Sequence, residues 1–380
     1  MKTKNYYYAV AVLVGQIIGV GIFGLPFLIA KAGLLSLFFL IVFIGIVQYF
    51  MQLIYANIVI ATPTYHQLPG YTSQYLGSES KQVVFLASLI SNYCALLAYT
   101  IVSGTFLYQL LSPALGGSDF FYATSLFIIE AIIVFFGVNV LARAELIMTG
   151  LLLLVVSLIV GFSLSSIHPS NYTIVDWRYF IIPYGAMLFS LDGSCVIPFI
   201  VQLLDKDKAN VKSAIKMGVL ISAIVTAVFA LVIVGVSGTN TSPDGLIGVK
   251  SILNPVVISF ALLFGVLCMV TSFLGSAQSL TKTFHFDYQI NRHLSWFFAV
   301  SIPLLLYFCG INDLISVISF AGGVAGGLIS IILLSIVFKS NDDPSKTVLF
   351  ERKLPKFALY GLVGMFVAGI VYEILSFILA

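Results

Sequence analysis

The sequence predicts an all-α integral membrane protein, a five-plus-five inverted repeat of eleven transmembrane helices with the first and sixth helices broken. Three observations predict it. The 380 residues are 60% hydrophobic and 9% charged, against roughly 45–50% and about 25% in soluble domains. Eleven apolar runs approach or exceed the roughly 20 residues a helix needs to cross a bilayer. A paired Gly/Pro interruption recurs in the first and sixth of them. Disordered, nucleic-acid-binding, disulfide-rich and coiled-coil classes are excluded by the same composition.

In chain order the runs cover roughly 6–31, 34–61, 82–111, 119–139, 143–167, 177–203, 212–237, 255–281, 294–310, 313–339 and 355–379. The first is too long for a signal-peptide core and lacks a small-residue cleavage site, so it is read as a span. Ala61-Thr62-Pro63 closes the second run, and Gly116-Gly117-Ser118 separates the third from the fourth. His168-Pro169-Ser170-Asn171 ends the fifth, and Ser340-Asn341-Asp342-Asp343-Pro344 ends the tenth. No connection is long enough for a soluble domain, so residues 1–380 form one membrane domain. Its first repeat is 6–167, its second is 177–339, and 355–379 is an appended helix.

Basic residues set the orientation. With the N-terminus cytoplasmic, one side holds Lys2, Lys4, Lys81, Arg143, Lys206, Lys208, Lys212, Lys216, Lys282, Arg292, Lys339, Lys346, Arg352, Lys353 and Lys356. The other holds Lys31, Arg178 and Lys250. Eleven spans then leave Ala380 outside, in a cell-membrane protein. The net charge of +3 is too small to imply a polyanion partner such as nucleic acid. Cys94, Cys195, Cys268 and Cys309 lie scattered in apolar runs and read as small buried hydrophobes. His66, His168, His285 and His293 fall in or near connections and read as solvated.

Gly21 precedes Pro26 by five residues, as Gly193 precedes Pro198, and the two pairs lie 172 residues apart. Five helices separate them, and because five is odd the second copy enters the membrane from the opposite side. Glycine costs about 1 kcal/mol in a helix, and proline removes a backbone donor. Free backbone groups are intolerable against lipid tails and must line protein or a water-filled cavity. Freed N–H groups suit a carboxylate, whereas freed carbonyls suit a cation or ammonium. A zwitterion fits both.

Gly15-Gln16-Ile17-Ile18-Gly19-Val20-Gly21-Ile22-Phe23-Gly24-Leu25-Pro26 resembles the first-helix signature of the amino acid–polyamine–organocation superfamily, whose members have the LeuT-type fold. Phe189 through Pro198, with the following Lys206–Lys216 segment, resembles its aromatic and hydroxy amino acid permease branch (amino acid/auxin permease-like). Thr271-Ser272-Phe273-Leu274-Gly275 resembles that branch's eighth helix. The resemblance implies a substrate carboxylate at the N–H groups of Val20 and Gly21, beside Gly19. It implies an ammonium at carbonyls around Ile17, Phe189 and Ser190. Carbonyls of Gly15, Ile18 and Cys268 with the hydroxyls of Thr271 and Ser272 would make an all-oxygen Na+ cage; the bland alternative bonds those hydroxyls back to their own helix.

Glu130, Asp192 and Glu373 are carboxylates inside apolar runs, which by default suggests function. Asp192, in the second interruption, is read either as a partner for an ammonium or proton, or as a cap for the next half-helix. Asn92 and Tyr93 on the third helix are further candidates to line the site, and Phe23, Phe189 and Phe320 are candidate gates. The expected function is secondary active amino acid transport by alternating access, coupled to Na+ first and H+ second, with no cofactor. The protein is expected to be a monomer or weak homo-oligomer. A channel or a non-transporting sensor of the same fold is the alternative. No nucleophile–base or metal constellation suggests an enzyme.

Overall fold

The computed structural model describes residues 2–136, 141–250, 252, 254–342 and 355–379. All regular structure among them is helical. The first run splits into α1 (Lys2–Ile17) and α2 (Gly21–Ala32), inclined by 51°. α3 (Leu34–Ala61) has the bounds expected of it. Phe39, Val42, Phe43, Ile46 and Phe50 are exposed on one face while Gln48 and Gln52 are buried on the other. That inversion of the soluble pattern is what a lipid solvent selects.

A short helix, α4 (Leu68–Leu76), occupies a connection the hydropathy pattern left blank. Its polarity hides it from a search for spans. α5 (Ser78–Leu115) runs past both predicted ends, followed by α6 (Asp119–Phe136) and α7 (Leu141–Ser163). Of the predicted fourth run, 137–139 lies outside the described residues. The sixth run is broken into α8 (Tyr184–Ser190) and α9 (Ile197–Leu203), and its predicted start, 177–183, forms turns up to Pro183. α10 (Lys208–Ser237), α11 (Pro255–Lys282) and α12 (Arg292–Phe308) follow, α11 ending in a π turn at Thr283–Asp287. The tenth run is α13 (Leu314–Phe320) and α14 (Gly327–Asp342) joined by a π-helical Ala321–Gly326, and α15 (Lys356–Leu379) closes the chain.

Nine described helices are long and apolar enough to cross a membrane, and the α1–α2 pair makes ten spans. α12, the ninth predicted span, is 17 residues, about 25 Å of helix. α1 and α2 sit centrally against α7, α10, α11 and α8, whereas α15 packs on α14 and the π turn at the rim.

The basic residues gather by contact. Lys206 Nζ donates to the Thr62 carbonyl, Lys81 Nζ to that of Asp287, and Asn5, beside Lys4, to that of Leu203. At the opposite end Leu34 and Asp176 N–H bond across to Thr173 and Ala32, near Lys31 and Arg178. The side chains of Lys2, Arg143, Lys346, Arg352 and Lys353, and residue Ala380, lie outside the described residues.

His66 is not simply solvated. Its Nδ1 lies 3.3 Å from Oδ1 of Asp287, a buried carboxylate that also accepts from the N–H groups of Gln67 (3.2 Å) and Gly70 (2.9 Å). That side chain hooks α4 to the end of α11, with Ser279 Oγ donating to Gln67 Oε1 beside it at 3.3 Å. Asp287→Ala strands two buried donors at about 1–3 kcal/mol each. A lower thermal midpoint of the detergent-purified protein is expected; an unchanged midpoint would show that α4 is held by other contacts.

Candidate functional site

The first break is an unwound stretch at Ile18, Gly19 and Val20, where Gly19 N–H bonds only two residues back, to Ile17 O at 2.9 Å. α2 then begins at Gly21, so the N–H groups of Gly21 and Ile22 lack intrahelical acceptors, while Phe23 N–H bonds back to Val20 O at 3.1 Å. Gly24 and Pro26 lie inside regular helix, not in the break. The unwinding is therefore displaced toward the N-terminal side of the Gly/Pro cluster. In the second break α8 stops at Ser190, and Pro198 is near the start of α9, where a missing N–H costs little.

Each break makes room for the other span. A Cβ on Gly21 would lie 2.2 Å from Ser190 Oγ and 2.7 Å from Ser190 Cα. One on Gly193 would lie 2.4 Å from Leu13 Cδ1 and 3.1 Å from Ile17 Cγ1. Gly21 serves close approach of backbones, and Gly193 admits the side chains of α1.

Two carbonyls at the second break find amide donors on α3. Gln48 Nε2 donates to Leu188 O at 2.7 Å and Gln52 Nε2 to Leu191 O at 3.0 Å. Asp192 Oδ1 accepts from Ser194 N–H at 3.0 Å and its Oδ2 from Ser194 Oγ at 2.9 Å, an Asx turn that caps the short Ser194–Val196 turn from one residue before its N-cap Gly193. Asp192 is nevertheless half-buried and faces a cavity, so the capping role leaves it accessible to a ligand.

That cavity has a volume of about 750 Å³, counted to its open mouth. Ile17, Gly19, Val20, Gly21, Asn92, Phe189 and Asp192, all singled out from the sequence, line it. It runs from the breaks to Gln67, Leu68, Ser279 and Thr283 at the end where the basic residues gather. On the other side, Phe23 is buried edge-to-face against Phe106 (5.2 Å) and Phe229 (5.6 Å), and Gly245 of the α10–α11 connection packs on its carbonyl. Phe23 thus closes the far side and does not line the cavity. Ser190 lies beneath the lining, its hydroxyl donating to Ala186 O. Tyr93 turns away, donating to Phe298 O within a separate cluster with Leu280, Phe284 and Ala299. Phe320 packs against Phe377 of α15, 5.9 Å between centroids, and its π-turn neighbours reach inward in its place.

The expected cation ligands divide. Ser272 Oγ crosses to α1 and donates to Gly15 O at 3.2 Å, whereas Thr271 Oγ1 bonds back to Cys268 O at 3.0 Å. Ile18 adjoins them in the first break, where its N–H still bonds Val14 O. A ring of polar groups absent from the sequence reading surrounds this point: Tyr99 reaches Ser272 and Ser276, and Gln16 Nε2 donates to Ser276 Oγ at 3.3 Å. All-oxygen chemistry suits a hard monovalent ion. Glu130 is buried in α6 away from this centre. Glu373 of α15 fills space that Gly185 and Gly323 leave open, its Oε1 2.3 Å from where a Gly185 Cβ would stand.

A family model, that of the tryptophan/tyrosine permease family, matches residues 2–376. No curated protein sequence matches the chain. Among solved structures, MhsT in complex with L-phenylalanine superposes with a TM-score of 0.65 at 15% identity, covering 97% of this chain and 98% of that one. Mhp1, a nucleobase-cation-symport-1 family transporter in a closed conformation with bromovinylhydantoin bound, superposes at 0.67 with 14% identity, covering 97% and 90%. Both likenesses support the LeuT-type fold.

Proposed function

The chain belongs to the tryptophan/tyrosine permease family, and from that premise we propose that it is a secondary active transporter of aromatic amino acids, driven by Na+ or, failing that, by H+. That it is a multi-pass membrane transporter of amino acids or related substrates, and not an enzyme, follows from the family and the fold. The single observation that supports the finer reading is the meeting of two broken helices on one cavity with Asp192 in its wall.

In this reading the substrate carboxylate takes the N–H groups of Val20 and Gly21, at the positive end of α2. The ammonium takes carbonyls of Ile17, Phe189 and Ser190, together with Asp192. A cation at Gly15, Ile18, Cys268, Thr271 and Ser272 fastens α1 to α11 and orders the first break, so each ligand binds better when the other is present. With the N-terminus cytoplasmic in the cell membrane, the cavity mouth faces the cytoplasm. The residues around Phe23 then form the closed outer side of an inward-facing state, and the repeats 6–167 and 177–339 exchange access around the breaks.

Uptake of a labelled amino-acid panel into proteoliposomes under imposed Na+ or proton gradients tests this. Accumulation of an aromatic amino acid only with a gradient is expected; accumulation of none overturns the reading. Ser272→Ala removes the hydroxyl that reaches α1 and should abolish Na+ stimulation, with Thr271→Ala weaker because that hydroxyl is engaged on its own helix. Stimulation that survives the double substitution would place the cation elsewhere.

A further inference from the structure

A smaller chamber, about 450 Å³ when counted to its open side, lies beside the main cavity, between α3, the second break and the Ala321–Gly326 π turn. Ser91, Phe189, Asp192, Ser194 and Ile329 form a wall common to both spaces. Beyond that wall Met51, Leu188, Ala321 and Leu333 give apolar surface, while the Gln48 amide N–H and the Ser330 hydroxyl are engaged on the carbonyls of Leu188 and Gly326. One lining residue, Gln52, is polar and lacks a full set of partners. Gln52 is 1% exposed, and its Nε2 donates to Leu191 O. A carbonyl only accepts, so this bond fixes which end of the amide is nitrogen. Gln52 Oε1 is then left buried with no donor. An unpaired buried acceptor costs about 1–3 kcal/mol, and a bound group that donates to it recovers that cost.

We propose that this chamber receives the substrate's side chain, and that Gln52 Oε1 accepts a hydrogen bond from a donor on its aromatic ring, an indole N–H or a phenol O–H. The assignment rests on the transport reading of the main cavity. With the zwitterionic head at the two breaks, the common wall at Phe189 and Asp192 is where head and ring part. The apolar surface accommodates any aromatic ring by burial. Gln52 separates rings that carry a donor from those that do not, because only a donor relieves the acceptor that the fold leaves unpaired. Sites built around such a group discriminate strongly against the analogue that lacks it. Gln48, one turn earlier, serves the Leu188 carbonyl and holds the chamber wall in register.

The test uses the full-length wild-type protein, so that it does not depend on a variant folding. Labelled tryptophan is displaced by unlabelled tryptophan and by 3-benzothienylalanine, its isostere with sulfur in place of the ring N–H, and tyrosine is compared with phenylalanine in the same way. The donor-bearing member of each pair should bind roughly 10- to 100-fold more tightly. In Gln52→Met, which keeps length and loses the acceptor, both ratios should fall to about one. Equal binding of tryptophan and its sulfur isostere by the wild type overturns the proposal. If amino acids are bound and transported without donor preference, the chamber assignment alone fails; if none is bound, the transport reading fails with it.

Discussion

Gly21→Ala is expected to abolish transport and lower the thermal midpoint together. The added methyl would stand 2.2 Å from Ser190 Oγ and 2.7 Å from Ser190 Cα, and the second contact is backbone, which no rotamer change relieves. α2 and α8 must separate at the point where both spans are unwound. Overpacking of this kind costs about 1–3 kcal/mol, enough to displace a two-state arrangement roughly 5- to 150-fold. Uptake into proteoliposomes and a melt in detergent measure the two effects. Gly161→Ala in α7 is the control, since nothing lies within 4 Å of its added Cβ; there uptake should stay at the wild-type value and the midpoint should hold or rise slightly, since alanine is the better helix former. Equal behaviour of the two variants would mean that the breaks do not need to touch.

Asp192→Asn should separate charge from capping. Asparagine retains an oxygen to accept from Ser194 N–H and is as good an N-cap as aspartate. The fold should therefore survive, with a midpoint close to wild type. What is lost is the negative charge beside a substrate ammonium or a coupling proton. Hydrogen bonds to charged groups contribute about 1.5–3 kcal/mol, so a loss of roughly 10- to 100-fold in uptake is expected. Asp192→Ala should lose both uptake and midpoint. If Asp192→Asn transports like wild type, Asp192 is a cap and nothing more.

The sequence was most legible where lipid writes the rules. Runs such as 34–61 coincide with helices because a span must satisfy its backbone internally. The break in the sixth run was legible from Gly193 and Pro198, since both residues disfavour helix for local reasons. The break in the first run was legible in existence and misplaced in detail. Gly24 and Pro26 remain in helix, and the unwinding falls on Ile18–Val20, where Tyr99 and Ser272 crowd Gly19 from neighbouring helices. α4 was missed because it is polar.

Gln16, Gln48 and Gln52 carry no charge, so the charge pattern of the apolar runs does not reveal them. Yet amides in lipid-spanning helices are costly too, and Gln48 and Gln52 stand one turn apart on one face. That spacing was a readable sign of a polar partner, though not of which one. Tyr93 and Phe320 show the opposite limit. Nothing in an isolated helix says which way an aromatic among 32 Phe and 19 Tyr will turn, and here they pack against Phe298 and Phe377.

The sequence by itself thus determined the solvent, most of the spans and the presence of two interrupted helices, because each follows from forces acting within one segment. Only the tertiary structure decided that Gly21 meets Ser190, that Ser272 rather than Thr271 reaches α1, and that Gln52 is left holding an unpaired oxygen over a second chamber. Those facts depend on how helices far apart in the chain approach one another, and no local propensity carries that information.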